Sequence, residues 1–402
     1  MQVHGPLGLG YCGVATASPD AVEHMLRSSF HNYVDKGDRV RDAFADLLGD
    51  GLFLANGRLW MLQRKLAASS FSPRLIRRFA GRVILDQLHR RLLPFLDAAA
   101  DAGRVFDLQD VLRRFAFDNI CSVAFGVDRN DSSPSSSDSE AEPNLLSRFT
   151  AAMMEEDGGD ELGAMFDSPE AKRRFLRDTV KTFVLAGKDT TSSALTWLFW
   201  FLAANPECER RVYEEDVLGR FGFDNICNVA FGVESSTLLE GGDRRHEAFF
   251  AAFDAAVEIS VARVFHPTTL VWRAMRLANV GSERRMRDAI RVIDEYVMAI
   301  VASEERLRLR RGEGEHEQHL LSRYPVFHAG PRACLGREMA YVQMKAVAAA
   351  VIRRFAVEPV QAPASMETPP ACEVTTTLKM KGGLLVRIRK REDDAAQQKS
   401  TW

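Results

Sequence analysis

The stretch SPEAKRRFLRDTVKTFVLAGKDTTSSALTWLFWFLAANP, residues 168–206, sets the strongest limit on the fold. Its apolar residues recur at three- and four-residue intervals, the period of a helix face rather than the two-residue alternation of a strand. Ser168-Pro169 reads as a helix start of the N-cap kind. Similar spacing fills SPDAVEHMLRSSF from Ser18, SPRLIRRFAGRVILDQLHRRLLPFLDAAADAG from Ser72, and SERRMRDAIRVIDEYVMAIVASEERLRLRR from Ser282. Strand signals are few. The clearest is CEVTTTLKMKGGLLVRIRKR from Cys372, where β-branched alternation around Gly382-Gly383 predicts a hairpin. The chain therefore reads as mainly α with a minor β part.

With 402 residues, 46% of them hydrophobic and 27% charged, and a net charge of -2, the composition is that of a soluble globular protein. It offers no basic face for nucleic acid: the run RLRLRRGEGEH is followed at once by acids, as at a solvated helix end. The six cysteines form no CxxC pair and no regular spacing, which argues against a disulfide framework and against a zinc site. No signal-peptide pattern opens the chain, and no run of about 18 apolar residues occurs in it.

An internal repeat organises the middle. DVLRRFAFDNICSVAFGV begins at Asp110 and DVLGRFGFDNICNVAFGV at Asp216, differing at Arg113/Gly219, Ala116/Gly222 and Ser122/Asn228. The two copies diverge downstream, so this is no solenoid of fixed period. Composition divides the chain into residues 1–128, a polar linker 129–143, a region 144–215, the second copy with its following helices 216–323, a region 324–390 and a polar tail 391–402.

The segment FHAGPRACLG, residues 327–336, carries the chemistry. A functional cysteine acts as thiolate and needs surroundings that stabilise negative charge. Gly330 and Gly336 permit positive φ and so a turn of amides toward one point, and the helical spacing after Arg337 puts Cys334 at a helix N-terminus. Arg332 adds a fixed cation suited to a carboxylate or phosphate. A second site lies in AGKDTT, residues 186–191. There Gly187 would leave a gap for a ligand beside the helix, Thr190 could offer its hydroxyl to dioxygen or to a local carbonyl and widen the helix, and Asp189 could relay protons. A third is LWMLQRKL, where Trp60 and Arg64 lie four residues apart on one helix face.

Together these frames resemble the cytochrome P-450 superfamily, with Phe327, Gly330, Arg332, Cys334 and Gly336 matching each fixed position of its haem-ligand loop. The resemblance implies a largely helical fold and haem b, with Cys334 as proximal thiolate of the iron, Phe327 packed beside the sulfur, and Arg332, Trp60 and Arg64 holding the propionates. It implies Gly187, Asp189 and Thr190 at the oxygen-binding helix. In detail the sequence is similar to plant microsomal members that hydroxylate fatty-acyl chains or the jasmonoyl-isoleucine conjugate, which implies NADPH-derived electrons delivered by a flavin reductase, a lipid-chain substrate with dioxygen, and a place on the cytosolic face of the endoplasmic reticulum. The chain carries no membrane anchor, which leaves peripheral contact or a cytosolic place.

The order departs from the family's. The first copy reaches LLSRF at Leu145 without the helices that roof the substrate pocket, and LLSR at Leu320 jumps to YPVFHAG, so that the Glu-x-x-Arg helix and the aromatic meander are missing and the fold is expected to be incomplete. Glu207 with Arg210, and Glu305 with Arg308, mimic that motif but read as surface pairs. Phe249, Phe250, Phe253 and Phe265 could wall an apolar pocket, although a plain core role fits them better. The alternative to an active monooxygenase is a catalytically silent, rearranged relic that holds haem weakly or not at all.

Overall fold

The computed structural model describes residues 2–4, 12–14, 16, 18–71, 76–126, 144–154, 161–214, 244–265, 269–307, 325–361 and 369–391. The linker, the second repeat copy, the run around Arg308 and the tail lie outside them, as do the side chains of Phe250 and Phe265. In chain order come the strands β1 (Gln2–His4) and β2 (Cys12–Val14), then the helices α1 (Pro19–Glu23), α2 (Asp38–Leu48), α3 (Gly57–Ser70), α4 (Gly81–Gln87) and α5 (Leu93–Asp101). After β3 (Val105–Asp107) follow α6 (Leu108–Phe125), α7 (Leu145–Met154), α8 (Pro169–Ala204), α9 (Pro206–Glu214), α10 (Arg244–Phe265), α11 (Thr269–Ala278), α12 (Ser282–Leu307) and α13 (Arg337–Arg354). The chain closes with β4 (Phe355–Pro359), β5 (Cys372–Val374), β6 (Leu378–Met380) and β7 (Leu385–Lys390). Among the described residues no helix is long and apolar enough to cross a membrane.

One compact unit combines Met1–Pro73, Glu140–Phe183 and Asp243–Arg337. In it α10 lies against α12 and α2, while α3 and α12 meet α7. Phe249 and Phe253 are fully buried with ring centroids 5.5 Å apart, so these two rings are core, as the plain reading of the Phe-rich segment has it. A buried cation ties the helices together. Arg263 of α10 donates through Nε to Glu283 of α12 at 3.1 Å, and through a terminal nitrogen to Asp46 of α2 at 2.9 Å and to the Ala43 carbonyl at 3.1 Å. Removing one member of such a pair leaves a buried charge unanswered, at a cost of about 3–5 kcal/mol.

The other unit combines Arg74–Ser139, Val184–Gly242 and Glu338–Trp402. Its centre is α6, the first repeat copy, buried on nearly every side from Phe115 to Phe125. An amphipathic surface helix would bury one stripe; this one is buried all round, with Asp118, Asn119 and Ser122 enclosed among its apolar residues. Asp107 caps it by accepting from the Gln109 N–H at 2.9 Å, and Gly126 ends it in the left-handed conformation with φ 66°. Its buried Asp118 is answered by the guanidinium of Arg91 at 3.0 Å.

The predicted hairpin at Gly382-Gly383 does not form. β6 pairs antiparallel with β5 through a turn at Thr375–Thr377, whereas β7 is the middle strand of an antiparallel sheet β3-β7-β4. Gly382 and Gly383, with φ 82° and 77°, instead hand the chain from one sheet to the other. A Cβ on Gly383 would fall 2.2 Å from the Asp107 carboxylate, which accepts the Leu384 N–H at 2.9 Å. The glycines mark the bend correctly; the choice of partner is made by Val105–Asp107 and Phe355–Pro359, far away in sequence. On β7 Val386 and Ile388 turn inward and their neighbours outward.

Candidate functional site

The first unit brings Trp60, Arg64, Phe327, Gly330, Arg332, Cys334 and Gly336 into one neighbourhood. The cysteine loop opens with two short 3-10 turns, Pro325–Phe327 and Gly330–Arg332, and is closed by the Cys334 N–H donating to the Phe327 carbonyl at 2.8 Å. Gly330 has φ 66°, and a Cβ there would lie 1.7 Å from the Leu26 carbonyl oxygen, so only glycine passes. The positive φ expected at Gly336 is absent; the second left-handed residue is His328, with φ 61°. What Gly336 contributes is its N–H, which donates to the Cys334 sulfur.

Cys334 is an exposed free cysteine three residues ahead of α13. Enough protein surrounds it for desolvation to push its thiol up, against the opposing pull of the Gly336 N–H and of the cations Arg64 and Arg337. Arg64 is brought down to about 10, by burial first and then by the like charge of Arg332, while Cys334 acts the other way. Among the described residues Arg64 makes no ion pair with a carboxylate. Arg332 lies over the indole of Trp60 at 4.4 Å and donates one terminal nitrogen to the Ala55 carbonyl at 2.9 Å and to Asn56 Oδ1 at 3.3 Å. Its Nε is buried with no acceptor. Burial lowers the pKa of Arg332, and Asp35 partly restores it.

The second unit holds Gly187, Asp189 and Thr190 on α8. The helix stays regular there, and the Thr190 hydroxyl donates to the Ala186 carbonyl at 2.6 Å. Asp189 is buried, its Oδ1 paired with Lys188 at 2.9 Å and with Lys379 of β6 at 3.6 Å, while its Oδ2 has no hydrogen-bond partner. The gap expected beside Gly187 is filled on its Cβ side: an added Cβ would stand 2.7 Å from the Ile120 side chain of α6. Glu207 and Arg210 form an exposed pair on α9, and Arg308 lies outside the described residues.

The chain matches the Cytochrome P450 family over residues 9–142, 136–220 and 315–381. It is 33% identical over 438 residues to Cytochrome P450 CYP94D108 of Paris polyphylla, covering 95% of this chain and 85% of that protein. This chain belongs to the cytochrome P450 family. Cytochrome P450 94B1 of Arabidopsis thaliana is 29% identical over 453 residues, covering 94% of this chain and 82% of that one. In fold, a zebrafish cytochrome P450 superposes with a TM-score of 0.53 at 17% identity, over 97% of this chain and 96% of that one.

As a member of this family, similar to plant cytochromes P450, the protein is a P450-type monooxygenase, and the family implies haem iron. The residues present fit that group. A haem brings two carboxylates and an iron that takes a thiolate. Arg332 Nε is a buried donor lacking an acceptor, Arg64 is a cation lacking a carboxylate, and Cys334 is a sulfur that already receives an amide proton. Sequence reasoning missed Lys36 and Asn56. The Lys36 N–H donates to Asn56 Oδ1 at 2.8 Å, and the Asn56 amide returns a bond to the Lys36 carbonyl at 3.2 Å. Asn56-Gly57 is a turn signal that could have drawn attention to this point.

Proposed function

We propose that this monooxygenase inserts one atom of dioxygen into an unactivated C–H bond of a fatty-acyl or related lipid chain. The C–H bond becomes C–OH, the other oxygen atom leaves as water, and two protons and two electrons balance the step; the electrons originate in NADPH and arrive through a flavin-containing reductase. The observation that carries the reading is the unanswered Nε of Arg332 beside Trp60, in the unit that also holds Cys334. A buried N–H left without an acceptor is costly unless an anion completes it.

Haem, when bound, supplies the redox and oxygen chemistry, to which a cysteine ligand contributes electron density. The chain's own residues supply the rest. Cys334 would give up its proton to serve as ligand, a charge that the Gly336 N–H and Arg64 favour. Arg332 and Arg64 would hold the two carboxylates, with the Trp60 ring lying under the Arg332 guanidinium. Thr190 holds a hydroxyl proton on an exposed turn, and Asp189 has one carboxylate oxygen free to take a proton from a water or hydroxyl. The lipid-chain substrate and a place on the cytosolic face of the endoplasmic reticulum rest on the likeness of FVLAGKDTTSSALTWLFWFLAANP and YPVFHAGPRACLGREMAYVQMK to the plant fatty-acid hydroxylases.

The test is reconstitution with haem, a flavin reductase and NADPH, followed by product analysis on fatty acids of graded chain length. A hydroxylated product that disappears in Cys334→Ser supports the reading. Reductase-dependent oxygen consumption without any hydroxylated lipid would overturn the substrate class.

A further inference from the structure

Asn56 occupies the N-cap position of α3, yet its side chain makes no capping hydrogen bond. Asparagine is among the best capping residues because its Oδ1 ordinarily accepts an N–H of the first turn. Here the amide faces the other way. Oδ1 accepts from the Lys36 N–H at 2.8 Å and from Arg332 at 3.3 Å, and Nδ2 donates to the Lys36 carbonyl at 3.2 Å. Gly57 follows with φ 53°, a backbone setting that turns residue 56 away from its own helix. The neighbouring Ala55 carbonyl accepts from the same nitrogen of Arg332 at 2.9 Å.

We infer that Asn56 is a positioning residue for the cofactor: by fixing one end of Arg332, it aims the unpartnered Nε at a haem carboxylate. Two acceptors, Ala55 O and Asn56 Oδ1, hold a single terminal nitrogen, and the Trp60 ring holds the guanidinium plane, so the remaining donors point in a defined direction. A free arginine would have to lose rotamer freedom on binding; this one has lost it already. The Lys36 backbone, clasped from both its N–H and its carbonyl, brings a further cation within range of Arg332, as the lowered pKa of Lys36, caused by burial and then by Arg332, also indicates. A planar amide carries its acceptor and its donor on two separate atoms, so it reaches the Lys36 N–H, the Lys36 carbonyl and Arg332 at once; a hydroxyl has only one oxygen for all of these.

The inference rests on the haem reading, and two variants separate the roles. Serine caps helices as well as asparagine does but cannot span to Lys36 and Arg332, whereas alanine does neither. Haem loss from the full-length holoprotein is followed as transfer to excess apomyoglobin, and melting of the haem-free chain is recorded alongside. The expected result is that Asn56→Ser melts with the parent yet loses haem about tenfold faster, as does Asn56→Ala, in keeping with the usual weight of outer partners. Parent-like haem retention in Asn56→Ser would show that the side-chain bonds to Lys36 and Arg332 are not what retains haem, and would overturn the inference. A haem-free arm uses the emission of Trp60, isolated by subtracting a Trp60→Phe protein. Asn56→Ser should change it as Arg332 leaves the ring, even if the parent takes up no haem and the haem reading falls; an unchanged emission would overturn the positioning role.

Discussion

In the first unit, the polar groups around Cys334 are left with valences to spare: Arg332 Nε has no acceptor, and Arg64 meets no carboxylate among the described residues. In the second unit, those of α8 are largely committed: Thr190 bonds the Ala186 carbonyl, Asp189 is held by Lys188 and Lys379, and Gly187 is packed on Ile120. The Cys334 loop can turn its donors toward one point because its backbone is not bound to a period, and Arg64 comes to it unpaired from α3. On α8 the polar side chains are satisfied locally or by neighbours, so chemistry there depends on exchanging partners. The first region is therefore a prepared receptor, and the second a packed element with one free oxygen.

The comparison can be broken most strongly at the glycines. Gly330→Ala places a Cβ against the Leu26 carbonyl at a left-handed position and should cost about 3 kcal/mol, seen in denaturant unfolding together with lost haem uptake. Arg332→Ala should leave folding nearly unchanged but weaken haem affinity by about 10- to 100-fold in a haemin titration. Gly187→Ala should destabilise the chain by about 1–3 kcal/mol, because Ile120 must move. Gly336→Ala, whose new Cβ would meet only the Phe71 ring at 3.9 Å, should cost less than about 1 kcal/mol. If both α8 and the loop tolerate their alanines equally, the contrast drawn between them is wrong.

A finer test uses pH. Burial raises the Cys334 thiol, so the protonated form prevails at neutral pH and iron ligation must release a proton. Haem affinity should then climb as pH rises toward the raised pKa, by at most about tenfold per unit. A flat profile would mean that another group binds the iron. The smallest effect is at Thr190→Val, which frees an exposed carbonyl and should change stability by less than about 1 kcal/mol, while lowering the hydroxylated product formed per dioxygen consumed.

Much of the site was legible because its frame is contiguous. Ten residues from Phe327 to Gly336 carry the turn, the cation and the sulfur, and Trp60 with Arg64 needs only helical spacing to share a face. Long helical periodicity likewise gave the mainly α fold. What stayed hidden depends on distant partners. Gly382-Gly383 announces a bend, but nothing local says that β7 pairs with Val105–Asp107 and Phe355–Pro359 rather than with β6. The space over Gly187 belongs to Ile120, and the task of Asn56 is set by Lys36 and Arg332. The building of each unit from three separated stretches carries no local signal at all.

The central claim is that Cys334 binds haem iron as thiolate. The measurement that tests it is the carbon monoxide difference spectrum of the chain expressed with a haem precursor and then reduced. The expected result is a strongly red-shifted Soret band that vanishes in Cys334→Ser. A band at the ordinary haem position, or no haem signal, would contradict it.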